Sequence, residues 1–266
     1  MSNWIEILLA DVESFNDKID KIKEEERDMF KGQDLSGLDL RKVKLSHCDL
    51  SYTNLSDCII DGCQISACRL EGTNLQYISY ADEYWKSTIE QIQIIWKSAV
   101  DWANFRANSR PALLNGVNFT KAKFINFDFS DLSFISSNFN LAQFKGTNLA
   151  DASFRAASLL NASFTDMNLN GTDFTDSKLS GTTWKNTQLG FVDMSRAELS
   201  KSVFENVSFE ECNLNDVKAE AAVFKNCKFV KTIFYDASLS DCQFIGCTFV
   251  ETELNNAQNK DRIALS

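Results

Sequence analysis

From Leu114 to Leu254 every fifth residue is apolar and all but one are large: of 29 such positions, 26 are Leu or Phe, and the others are Trp184, Met194 and the small Ala219. A second series on another register runs Leu35, Leu40, Leu45, Leu50, Leu55, Ile60, Ile65, Leu70 and Leu75. A helix repeats about every 3.6 residues and a strand about every two, so neither gives a strict period of five. The pattern predicts a coil of short straight segments with a corner every five residues, the Leu or Phe at each centre filling the interior.

The neighbouring columns agree. Two residues before the centre the side chain is small, as at Ala122, Ala142, Ala152, Thr172 and Ala222. Two after it come Gly, Asn and Asp, as at Gly146, Asn161, Gly171 and Asn206; nine of the ten glycines lie in this column, Gly190 being the exception. Gly, Asn and Asp turn the backbone tightly and tolerate left-handed angles, so this column predicts the corners.

Thr53-Asn54-Leu55-Ser56-Asp57, Thr147-Asn148-Leu149-Ala150-Asp151 and Thr172-Asp173-Phe174-Thr175-Asp176 resemble the repeat of the pentapeptide-repeat family. The resemblance implies an all-β solenoid, a right-handed quadrilateral β-helix with four repeats, or 20 residues, per coil. Phe124, Phe144, Phe164, Trp184, Phe204, Phe224 and Phe244 lie 20 apart and would form one stacked ladder. The expected organisation is an N-terminal amphipathic helix or cap over 1–31, a short repeat run over 32–80, a helical insert over 81–111, a long run over 112–256 and a tail over 257–266.

Outside the repeats, Ile5, Leu8, Val12, Phe15, Ile19, Ile22 and Met29 form one apolar stripe, predicting a single amphipathic helix over 2–30. It either caps the first coil of a monomer or forms a short dimerisation seam. In the insert, Ser87-Thr88-Ile89-Glu90 resembles a capping box. Ile92, Ile95, Trp96, Ala99, Val100 and Ala103 follow it, and Pro111 marks re-entry to the coil. Trp85, Trp96 and Trp102 either bury against the side of the solenoid or the N-terminal helix, or anchor a partner from a protruding loop, since Trp is enriched in binding hot spots.

Composition narrows the chemistry. With 27 Lys and Arg against 37 Asp and Glu, the net charge of −10 argues against direct binding of nucleic acid. A single histidine, His47 at a corner, leaves no catalytic constellation, and nothing calls for a cofactor or metal. All eight cysteines (Cys48, Cys58, Cys63, Cys68, Cys212, Cys227, Cys242, Cys247) sit in the small column, as buried filler would. No apolar run approaches the length that spans a bilayer, and Met1–Glu6 lacks the features of a secretion signal, so a cytoplasmic protein is expected.

What is left is a surface. On the two adjoining faces centred on Leu149 and Phe174, outward positions carry twelve acids and four bases; Asp151, Asp173, Asp176, Asp193, Asp216 and Asp236 are among the acids. The other two faces carry eight bases and five acids, with Lys145, Lys185 and Lys225 in one column. The acidic strip and the three tryptophans are therefore the candidate protein-binding residues of a non-catalytic scaffold with an unidentified protein partner. The alternative, which the family resemblance implies, is a DNA-mimicking protector of DNA gyrase or topoisomerase IV.

Overall fold

The structure is a computed structural model that describes residues 4–79, 83–111, 113–252, 254, 257–258 and 264–265. It forms two compact units, Met1–Ala112 and Leu113–Ser266. In both, the five-residue period becomes a β-solenoid in which residues 20 apart pair in parallel register, such as Asp34 with Asn54 and Phe144 with Phe164.

Each column of the repeat has one structural job. The centres are buried from Leu35 to Leu75 in the first unit and from Leu114 to Phe244 in the second. Every described residue with positive φ lies two after a centre, and nine are the predicted glycines. None of these corners is Val, Ile or Thr, because a β-branched side chain clashes in the left-handed region. The small column points inward. There a hydroxyl or thiol donates to the carbonyl 23 residues earlier: Thr172 Oγ1 to Leu149 O at 2.9 Å, Cys58 Sγ to Leu35 O at 2.9 Å. Most of these groups are thus satisfied by the coil beneath, whereas Ser177 and Thr182 donate to a carbonyl of their own coil and Thr187 Oγ1 has no hydrogen-bond partner among the described residues.

The type of side follows the face: those centred on Phe134 and Phe139 close as turns whether Asp, Asn, Ser, Lys, Glu or Ile precedes the centre. Where that residue is Asp or Asn, its side chain accepts from the N–H two residues on, as Asp173 Oδ1 does from Thr175 at 2.8 Å, and the side closes as a turn. The face centred on Phe124, where it is Lys, Gln, Ser, Thr or Val, forms three-residue strands. These are β1 (Lys123–Ile125), β2 (Gln143–Lys145), β3 (Ser163–Thr165), β4 (Thr183–Lys185), β6 (Val203–Glu205), β8 (Val223–Lys225) and β10 (Gln243–Ile245). The next face switches within itself. Asp128, Asn148 and Asn168 precede turns, whereas Gln188, Ser208, Lys228 and Thr248 open β5 (Gln188–Gly190), β7 (Ser208–Glu210), β9 (Lys228–Val230) and β11 (Thr248–Val250).

The predicted aromatic ladder is present. Phe124, Phe144, Phe164, Trp184, Phe204, Phe224 and Phe244 stack with centroids 3.9–5.6 Å apart. The repeat also runs further than the sequence suggests. Gln258 bridges Ser238, and β12 (Ala264–Leu265) pairs with β10, adding an eighth strand to that sheet.

The helical segments differ from expectation in detail. The stripe over 2–30 is two helices, α1 (Trp4–Ala10) and α2 (Val12–Ile19), because Asp11 leaves the helix and caps α2 through the Glu13 N–H. Leu8, Phe15 and Ile19 are buried within the chain, and Asn16 ties α2 to the first coil through Lys42 O and Lys44 N–H. In the insert, α3 (Glu83–Lys97) runs straight through the expected capping box at 87–90. The cap is Ser98, whose Oγ accepts from the Asp101 N–H at 3.0 Å and starts α4 (Ala99–Asn108). No helix among the described residues is long and apolar enough to cross a membrane.

Candidate protein-binding surface

Parallel register stacks outward residues 20 apart, so the acidic strip is built rung by rung. Asp173 and Asp193 occupy adjacent rungs of one ladder, with Asn213 on the next. Each carboxylate uses one oxygen to close its own turn, Asp193 Oδ1 accepting from the Ser195 N–H at 2.8 Å. Ser153 Oγ donates to Asp173 at 3.3 Å, and Asn213 Nδ2 donates to both oxygens of Asp193 at 3.2 and 3.3 Å. These donors offset part of the repulsion between like charges facing one another across a ladder. Asp151 leans across the neighbouring corner: a Cβ placed on Gly171 would lie 2.1 Å from Asp151 Oδ1.

The next column behaves differently. Arg196 grips Asp176 with both ends of its guanidinium, Nε to Oδ1 at 2.7 Å and a terminal nitrogen to Oδ2 at 2.9 Å, while Arg155 stands 4.0 Å away. The bonds from Arg196 hold the Asp176 carboxyl below the usual carboxylate range. Asp176 is therefore already paired and does not act as a free acid alongside Asp173 and Asp193. Asp216 follows Arg196 in the same column, and Asp236 follows Asp216; both are exposed. The opposite faces hold their own rung-to-rung pairs, Lys185–Glu205 and Lys218–Glu198, each at 3.5 Å.

The tryptophans divide three ways. Trp102 is fully buried and stacks on Phe105 with centroids 5.5 Å apart, so it offers no ring to a partner as a protruding loop would require. Trp96 is half-buried beneath Arg69, whose guanidinium carbon lies 5.6 Å from its ring centroid. Gln93 Nε2 also donates to Thr73 O at 3.3 Å, fastening α3 to the short run. The side chain of Trp85 lies outside the described residues.

All eight cysteines are free. Burial pushes the thiols of Cys48 and Cys242 up to about 12 and those of Cys63 and Cys212 up to about 11. Cys247 differs, because its interaction with Cys227 lowers its thiol while raising that of Cys227. Among the described residues no cluster of His, Cys, Asp or Glu is able to hold a metal ion.

Phe191 was absent from the expected surface residues. It stands in the corner column with φ of 54° and is 64 % exposed. The signal was available in the sequence: it is a Phe two positions after a centre, where Gly, Asn and Asp predominate.

The comparisons with known proteins cover both runs. A family model described as a pentapeptide repeat region matches residues 111–184 and 137–219, and one for pentapeptide repeats (8 copies) matches 30–62 and 39–76. A model for the SV2A/B/C luminal domain matches 185–254. No curated protein matches the chain. Among solved structures, QnrB1, described as a plasmid-mediated fluoroquinolone resistance protein, is 17 % identical with a TM-score of 0.43 over 57 % of this chain and 85 % of its own. HetL, a pentapeptide repeat protein involved in heterocyst differentiation regulation in the cyanobacterium Nostoc, is 15 % identical with a TM-score of 0.24 over 86 % of this chain and 89 % of its own. Rfr23, from the cyanobacterium Cyanothece, is 14 % identical with a TM-score of 0.18 over 54 % of this chain and 88 % of its own.

Proposed function

The chain belongs to the pentapeptide-repeat family, whose models together match more than half of it, and on that premise we propose that it is a non-catalytic binding protein whose two acidic faces dock a protein partner. The observation that carries this reading is the stack of Asp173 on Asp193. A purely structural ladder would do better with Asn at both rungs, because Asn closes the same turn without like-charge repulsion. A strip of one sign steers an oppositely charged partner, and that attraction weakens as salt rises.

The test is capture of partners on the immobilised full chain beside a D151N/D173N/D193N variant, at two salt concentrations. Proteins held by the wild type, released by salt and lost on the variant are the expected result. Equal capture on both baits, with equal salt dependence, removes the strip as the binding surface.

A second reading follows from the same stacked carboxylates: the acidic faces stand in for duplex DNA on DNA gyrase or topoisomerase IV. Duplex DNA carries about one charge per 1.7 Å of axis. The acidic faces are far sparser, so any mimicry would be partial. Supercoiling by gyrase, with and without a quinolone, decides it. An effect of the wild-type chain that the D151N/D173N/D193N variant lacks supports the second reading, and no effect leaves the general partner as the sole reading.

A further inference from the structure

Phe191 is the one exposed large aromatic residue of the acidic strip that adopts a left-handed corner. Two costs are combined there. A bulky side chain at positive φ is a strained choice, and an exposed ring contributes little burial in return. Asn, which occupies left-handed corners of the other faces at Asn161, Asn186, Asn206 and Asn226, would serve the fold better.

The ladder neighbours are one-signed, while Arg196, held by Asp176, lies within electrostatic reach of Asp193. Ladder pairing surrounds Phe191 with Asn170, Gly171 and Asp173 on one neighbouring coil, Gly190 and Asp193 on its own, and Glu210, Glu211 and Asn213 on the other. That set holds four acids and no base. Lys231, one coil further, is paired with Glu211 at 3.4 Å. Gly171 contributes no side chain of its own beside the ring, and the Asp151 carboxylate leans into the space a Cβ there would fill.

We propose that Phe191 anchors the binding surface by receiving an arginine-bearing segment of the partner protein, with the guanidinium over the ring and its N–H groups on the carboxylates of Asp173 and Asp193. The inference rests on the acidic-face reading given above. Arginine fits better than lysine for a geometric reason. A planar, weakly hydrated guanidinium stacks on an aromatic face and still presents donors in its plane, whereas an ammonium is a compact, strongly hydrated charge. A second copy of this chain is a poor occupant, since it too is strongly acidic.

The test measures binding of an octa-arginine and an octa-lysine peptide to the full chain, with F191N, F191Y and D173N/D193N as variants. F191N keeps a residue suited to positive φ, so its melting temperature is expected to be unchanged or raised. The expected result is tighter binding of octa-arginine than octa-lysine to the wild type. F191N should weaken octa-arginine about 3- to 30-fold while leaving octa-lysine unchanged, and F191Y should restore it. D173N/D193N should weaken both peptides, since Asn keeps the turns and removes the charge. If F191N binds octa-arginine like the wild type while D173N/D193N weakens both peptides, the anchor is overturned and the acidic surface stands. If neither variant changes either peptide, both fail.

Discussion

The two repeat runs obey one period and build different interiors. In the short run the centres are Leu and Ile, and coils join through isolated bridges such as Asp34 with Asn54 and Asp39 with Ile59. One side gives way to a 3-10 turn at Ile65–Ala67, and the helices of the unit pack on it. In the long run the centres are mostly Phe, aromatic rings stack from Phe124 to Phe244, and strands accumulate into an eight-stranded sheet. The period therefore sets the coil, the centre residue sets how adjacent coils hold one another, and on the face centred on Phe129 the residue before the centre separates strand from turn. Stability in such a stack accumulates between neighbours, so each run can be perturbed where its own packing is densest.

The largest effect belongs to the aromatic ladder. Phe164 lies between Phe144 at 5.0 Å and Trp184 at 3.9 Å. Phe164→Ala is expected to cost about 3–5 kcal/mol, and Leu55→Ala in the short run about 2–5 kcal/mol, by denaturant unfolding. Lys185→Ala on the exposed side of β4 serves as the control at under about 0.5 kcal/mol. Similar small losses for all three would break the assignment of inside and outside.

Removing residues 84–108 strips the short run of buried Ile89, Ile92, Ile95 and Trp102. The melting temperature of the shortened chain should fall by at least as much as for Leu55→Ala, and the wild-type tryptophan emission should be blue-shifted. A deletion that melts unchanged would show that the two helices are dispensable to the first unit.

A smaller loss is expected from Thr172→Val, which keeps the volume but removes the buried bond from Thr172 Oγ1 to Leu149 O. About 1 kcal/mol should go, read from the denaturation midpoint. Thr53→Val, which breaks the equivalent bond to Phe30 O at 2.7 Å, should match it if the small column does the same job in both runs.

The smallest effect is a pH dependence. Arg196 lowers the folded Asp176 pKa below its ordinary 3.8. The pair's contribution is therefore full above that ordinary value and disappears as pH falls through the lower folded value. Acid titration of the wild type against Arg196→Ala should show the wild type losing its advantage below about pH 4. Parallel curves would mean that the exposed pair contributes nothing to folding.

Much of this was legible in the chain because a five-residue period leaves few ways to fold. The buried centres, the glycine corners and the 20-residue aromatic ladder all follow from it. Local choices were harder to read. Asp11 breaks a stripe that looks continuous, because a carboxylate able to cap α2 outcompetes helix propagation there. The capping box at 87–90 was a coincidence of residue types, and Ser98 was the effective cap. Strand against turn was written at Gln188 and Asn168, but in a column that looks merely polar. The charge pattern located the acidic faces without revealing that Asp176 was already claimed by Arg196, since that pairing spans a full coil.

The most direct test of the acidic faces as the binding surface is amide hydrogen exchange on the full chain, alone and saturated with a protein that it captures. The account predicts added protection across residues 170–176, 190–196 and 210–216, with no change at 143–145, 183–185 and 223–225. Protection confined to the lysine-bearing strands, or to residues 83–108, would contradict it.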